Sequence, residues 1–161
     1  MKCLHRHGFK QRIAVLFFIS ITSAVTQAAD IQGIAGYKLG ETLDKKQVVS
    51  ETMADDGATV YTAKPLKPEQ QIDIVTVRIT PKQQIHRISA FSPVLADATC
   101  QEQMTLLRKQ TEKQFPGIGY YAMDQSEMFY QDDRTYTLEC VNKEGGVRLL
   151  QEYSDEKLAR Q

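Results

Sequence analysis

Two cysteines, Cys100 and Cys140, constrain this chain more than any other feature, because each sits in a segment whose periodicity says which way it points. Cys100, Met104, Leu107 and Thr111 fall at i, i+4, i+7 and i+11, one stripe of a helix. Tyr136, Leu138 and Cys140 alternate with polar residues, one face of a strand. Both sulfurs therefore point inward, and a bond between them staples helix to sheet. The rival readings are a metal pair and a free thiol. Outside the N-terminal leader the chain has one histidine, His86, and two Cys with one His cannot close a tetrahedral zinc site without a carboxylate. A disulfide is expected, and closing a loop of roughly 40 residues contributes about 3–4 kcal/mol on the chain-entropy model.

A disulfide needs an oxidising compartment, and residues 1–28 read as the means of reaching one. Lys2, Arg6, Lys10 and Arg12 form a basic start with no acidic residue, followed by an apolar stretch from Ile13 to Val25. As a helix that stretch covers only ~20 Å, short of the ~30 Å hydrocarbon core. Thr26-Gln27-Ala28 then offers small side chains where a signal peptidase cuts, so cleavage is expected before Ala29. The alternative is a permanent anchor helix. No cysteine follows the apolar stretch to take a lipid, and no Arg pair marks a twin-arginine signal. The expected location is the periplasm or the exterior, with no stable membrane span after cleavage.

Lys+Arg and Asp+Glu balance at 20 each over the whole chain. Loss of the leader removes four basic residues and no acidic one, together with Cys3, His5 and His7. The remaining 29–161 is mildly acidic, which argues against a nucleic-acid partner. Its length suits one compact α+β domain.

Periodicity gives a coarse map. Residues 30–42 are an extended or loop entry. A short helix is expected over 43–53, with Asp44 and Gln47 at capping-box spacing and Val49 and Met53 one turn apart. Strands follow at 58–63, 72–80 and 85–92; Pro65 and Pro68 make 64–71 a loop. Apolar residues lie on both faces of 85–92, so that strand is central or bulged. A long helix over 99–115 opens at a Thr99…Glu102 capping box and stops at Pro116-Gly117. Strands then fall at 119–123 or 126–131, at 134–141 and at 146–153. The expected fold is α+β: antiparallel sheet from two β-meanders, one long and one short helix, and one disulfide. Half-repeats 33–92 and 93–154 suggest a tandem α-β-β-β plan, joined in one sheet or stacked.

Catalytic equipment is sparse. No Gly-x-Ser-x-Gly elbow exists, and His86 reads as a strand histidine facing solvent or bonded locally. A disulfide leaves no thiolate nucleophile. Asp55-Asp56 and Asp132-Asp133 could serve as paired carboxylates, but both fall at turns, where acidic doublets form the turn. No calcium-loop spacing is present, and Gly145-Gly146 precedes no helix and so marks a hairpin, not a phosphate cradle. The chain is read as a non-enzyme with no metal and no cofactor.

One segment suits binding. Residues 119–133 pack four aromatics and two Met among four acids. Tyr120, Tyr121, Met123, Phe129 and Tyr130 are the candidate anchors, and Asp132 and Asp133 a negative flank that would favour a basic partner. Equally, Met128 and Tyr130 would face the core, with Tyr120 or Tyr121 packed at the sheet edge. No family's motifs map onto the chain. The duplicated helix-plus-meander plan is loosely similar to small exported proteins that block enzymes and to envelope-assembly modules, a likeness of plan that carries no function. The expectation is an exported binding protein acting by protein–protein contact, such as an inhibitor or immunity protein against a cell-envelope enzyme. The alternative is a periplasmic ligand-binding or envelope-assembly accessory protein.

Overall fold

The computed structural model describes residues 30–67 and 71–161. The leader at 1–28 and Pro68 lie outside the described residues.

Among the described residues, eight strands form one antiparallel sheet. Strands β3 (Val48–Met53), β4 (Thr59–Ala63), β5 (Ile74–Ile79) and β6 (Ile85–Phe91) make one meander, and β7 (Gly119–Met123), β8 (Ser126–Gln131), β9 (Arg134–Lys143) and β10 (Gly146–Asp155) a second. The order β3-β4-β5-β6-β10-β9-β8-β7 joins the meanders through their last strands. A small separate hairpin, β1 (Gly33–Ile34) and β2 (Tyr37–Lys38), precedes them. Helix α1 (Asp97–Gln114) links the halves, and a single-turn helix α2 (Glu156–Ala159) follows β10. The mixed fold with two antiparallel sheets, two helices and a Cys100–Cys140 disulfide is thus as the sequence implied.

Three expectations need correction: 119–123 and 126–131, alternatives for one strand in the sequence, are both strands, β7 and β8. Residues 43–53 are not a helix: a 3-10 turn at Lys45–Gln47 runs straight into strand β3. Asp44 does cap, accepting from Lys46 N at 3.0 Å, but only for that turn. The β-branched run Val48-Val49…Thr52 then extends and pairs with β4, where branched side chains fit better than against a helical turn. Each half is therefore a four-stranded meander, and only the second carries a preceding long helix. In addition, α1 begins at Asp97, two residues before the expected Thr99 cap; Ala96 is the N-cap and makes no side-chain bond there. The entry is fixed instead by Leu95, whose N–H bonds Val147 O on β10 at 2.8 Å.

Strand β6 is both central and opposite a register break. Arg78 faces Arg87 while Ile79 faces Ile85, which leaves His86 as an extra residue. That bulge lets Ile85 and Ile88, three apart, point to the same face, which explains the apolar residues on both phases of the alternation. Strands β9 and β10 pair without such a shift.

One face of the sheet, the inner one, carries both cores. A directly paired row crosses all eight strands: Glu51, Tyr61, Val77, Ile88, Tyr153, Tyr136, Phe129 and Tyr120. Over β8–β10, α1 buries Cys100, Met104 and Thr111 against Phe129, Tyr136, Leu138 and Leu149. Over β4–β6 the cover is the extended segment from Ala35 to Leu43, including β2. It is held by Gly40 N to Ile85 O at 2.8 Å, and by Tyr37, whose hydroxyl donates to Lys64 O at 2.6 Å. Tyr153 packs on both clusters and ties them together.

Candidate protein-interaction surface

A two-residue turn, Asp124-Gln125, folds β7 and β8 into a hairpin at one end of the sheet, with Met123 opposite Ser126 and Tyr121 opposite Met128. The period of two sorts the candidate anchors by face. Tyr121 and Met123 project from the outer face, each 58% exposed, and Tyr130 joins them at 49%. Gly119 lies opposite Tyr130, whose ring covers it so closely that a Cβ there would meet the ring at 2.2 Å. Strand β7 thus carries a glycine where the tyrosine ring needs the space.

Phe129 is not a surface anchor, and Met128 and Tyr130 do not face the core: alternation along β8 buries Glu127 and Phe129 instead. Phe129 is fully buried on the inner face, between Tyr120 at 5.1 Å and Tyr136 at 5.9 Å between ring centroids. Tyr120 points the same way and covers Phe129, remaining 39% exposed at the margin of the core. Of the five anchors, Tyr121, Met123 and Tyr130 share the outer surface, with Met128 between them, while Phe129 and Tyr120 form the floor beneath.

The acidic flank is weaker than the sequence implied. Asp132 sits at φ 53°, a left-handed turn position that Asp tolerates. Asp133 pairs with Arg160 at 3.3 Å and its carbonyl accepts from Glu156 N. Glu127 turns inward, 7% exposed, 3.5 Å from Arg108 of α1, with Oε2 buried and unbonded. Burial raises its carboxyl pKa against the opposing pull of Arg108. Among the described residues, only Asp124, in the turn, and Asp132 remain as unpaired acids of this segment.

The rest of the outer face is hydroxyl-rich. Beyond Tyr121 and Met128 the same row continues through Thr137, Glu152, Ser89, Thr76, Thr62 and Ser50. Ser89 donates to Glu152 at 2.6 Å, and Arg87 lies 3.7 Å from the same carboxylate. Arg78 pairs with Asp56 at 2.6 Å. Asp56 also accepts from Ala58 N, and that bond, followed by Arg78, holds its pKa down, so the Asp55-Asp56 doublet does form a turn. Sequence reading missed this belt, and it missed Arg148, which is buried at the β6 end and donates to Ser92 O and Asp73. Alternating Ser and Thr in the strands was its only visible sign.

His86, in the bulge, is half-buried. Burial first, then Arg87 and Arg78, push its pKa down. Among the described residues no carboxylate accepts a hydrogen bond from it, and no group of three or more His, Cys, Asp or Glu side chains could hold a metal. No described helix is long and apolar enough to cross a membrane. A cleft of about 290 Å³ lies beside Tyr130 and Gly119, walled by Phe115 to Ile118. A second, about 200 Å³, opens between α1 and the inner face, with Gln110, Gln114 and Gln151 among its walls. Comparison with family models, curated proteins and solved structures gave no match.

Proposed function

We propose that this is an exported binding protein that acts by occupying the surface of another protein, as an inhibitor or immunity protein of a cell-envelope enzyme does. The reading is carried by one observation: Tyr121, Met123 and Tyr130 stand exposed together on the outer face of a paired hairpin. Aromatic and Met side chains ringed by polar ones are what interface centres contain. The floor below them, Phe129 stacked on Tyr136, fixes their position without loop flexibility. The disulfide supports residence in the periplasm or outside the cell.

A ligand carrier would need an apolar chamber of roughly 300 Å³ or more. The space between α1 and the sheet is about 200 Å³ and partly lined by glutamines, and the cleft of about 290 Å³ beside Tyr130 is an open one at the turn after α1; neither is an enclosed apolar chamber, which favours the surface-acting reading.

The test is capture of envelope proteins by the processed chain, followed by assay of any enzyme retained. Tyr121→Ala and Met123→Ala should release the captured enzyme and restore its activity. Val94→Ala, at an exposed apolar residue outside the hairpin, should change nothing. Equal retention by all four proteins, or none by wild type, would defeat the proposal.

A further inference from the structure

Strand β7 is the last strand of the sheet, and among the described residues its backbone bonds only to β8. Such an edge invites another strand unless charge, proline or a bulge guards it. Strand β3, at the opposite end, is guarded: Glu51 sits in its middle and its pairing slips between Val48 and Ser50. Strand β7 has neither defence. Its five residues, Gly119-Tyr120-Tyr121-Ala122-Met123, carry no charge and pair with β8 without a shift.

We infer that β7 pairs antiparallel with the β7 of a second copy about a two-fold axis at Tyr121, making one continuous sheet through both molecules. The sequence of the strand is self-complementary in size. Full overlap sets Tyr120 against Ala122 of the second copy, Gly119 against its Met123, and Tyr121 against its Tyr121. Each bulky side chain except the central tyrosine meets a small one, and no like charges are brought together. The pairing also completes the outer surface. Gly119 is already roofed by the Tyr130 ring, so the Met123 arriving opposite it lies beside that ring, a favourable sulfur–aromatic contact made twice. A two-fold pairing uses up the open edge in both copies, and the guarded β3 edges stop growth there, so assembly closes at two.

The inference stands apart from the partner reading. A monomer that still captures an enzyme would overturn it and leave that reading intact.

The experiment is sedimentation of the full chain, expressed with its own leader, over a range from about 1 µM to 1 mM. A concentration-dependent dimer is expected. Tyr121→Lys sets two ammonium groups face to face at the axis and should weaken association on the order of tenfold or more. Val49→Lys, at an exposed site on β3, should leave it unchanged. Tyr121→Cys, treated with a short thiol-bridging reagent, should give a covalent dimer, and Val49→Cys should not. A wild type that stays monomeric throughout the range overturns the inference. So does a dimer that is indifferent to Tyr121→Lys, or one bridged equally well from position 49.

Discussion

Phe129 and Tyr121 belong to paired strands of one hairpin, yet one is a core residue and the other a surface residue. Phe129→Ala should cost about 3–5 kcal/mol in urea unfolding, because the emptied site lies between Tyr120, Tyr136 and the helix. Tyr121→Ala should stay within about 0.5 kcal/mol. The chemistry of this segment was legible, but its phase was not: Met128, Phe129 and Tyr130 are three large residues in succession, and alternation alone cannot say which one faces in. Tyr136 across the strand and Arg108 above Glu127 set the phase, and both are distant in sequence. Glu127 supplies a pH test. Burial puts its folded pKa above the ordinary 4.5, so below that pH both folded and unfolded chains hold the proton and Glu127→Gln changes little. As pH rises through the folded value, the wild type must bury a charge and the glutamine variant must not. Unfolding followed from pH 4 to pH 8 should show the variant drawing ahead toward neutrality; a variant less stable at pH 7 would contradict this.

At the level of elements, the disulfide holds α1 onto β9. Replacing Cys100 and Cys140 with alanine should lower unfolding stability by about 4 kcal/mol while α1 still packs through Met104 and Leu107, as circular dichroism would report. Residues 119–123 and 126–131 read as alternatives for one strand, and both form, as β7 and β8. The long helix, its buried stripe and strands β4, β5, β6, β9 and β10 were legible because each has a clear period. Strand β3 was not. Asp44…Gln47 and Val49/Met53 carry helix spacing, and only the presence of β4, with Tyr61 and Val60 seeking partners, pulls the segment straight. The start of α1 was misplaced for the same reason: the bond from Leu95 to β10, not a local cap, sets where the helix begins.

Across the whole molecule, the two meanders meet at β6 and β10, where five residue pairs from Leu150–Phe91 to Ser154–Arg87 form the seam. Tyr153 touches both cores, and Arg148, 8% exposed at its side chain, ties β10 to Ser92 and Asp73 of the first half. Unfolding should therefore be a single transition. Tyr153→Ala should cost about 3 kcal/mol and shift far-ultraviolet and tyrosine signals together; a variant that separated them would show that the halves fold alone. Whether the meanders lay side by side or stacked could not be read beforehand, because no local pattern encodes which two strands become neighbours.

A ribosome delivers this chain from the first meander onward, and β6 is finished well before Gly146–Asp155 exists to lie beside it. Until then Ile88 and Ala90, both sealed in the finished molecule, sit on a strand with one flank bare. The half-finished chain thus keeps an open strand flank until the final strand arrives, and that is the stage at which off-pathway association is most expected.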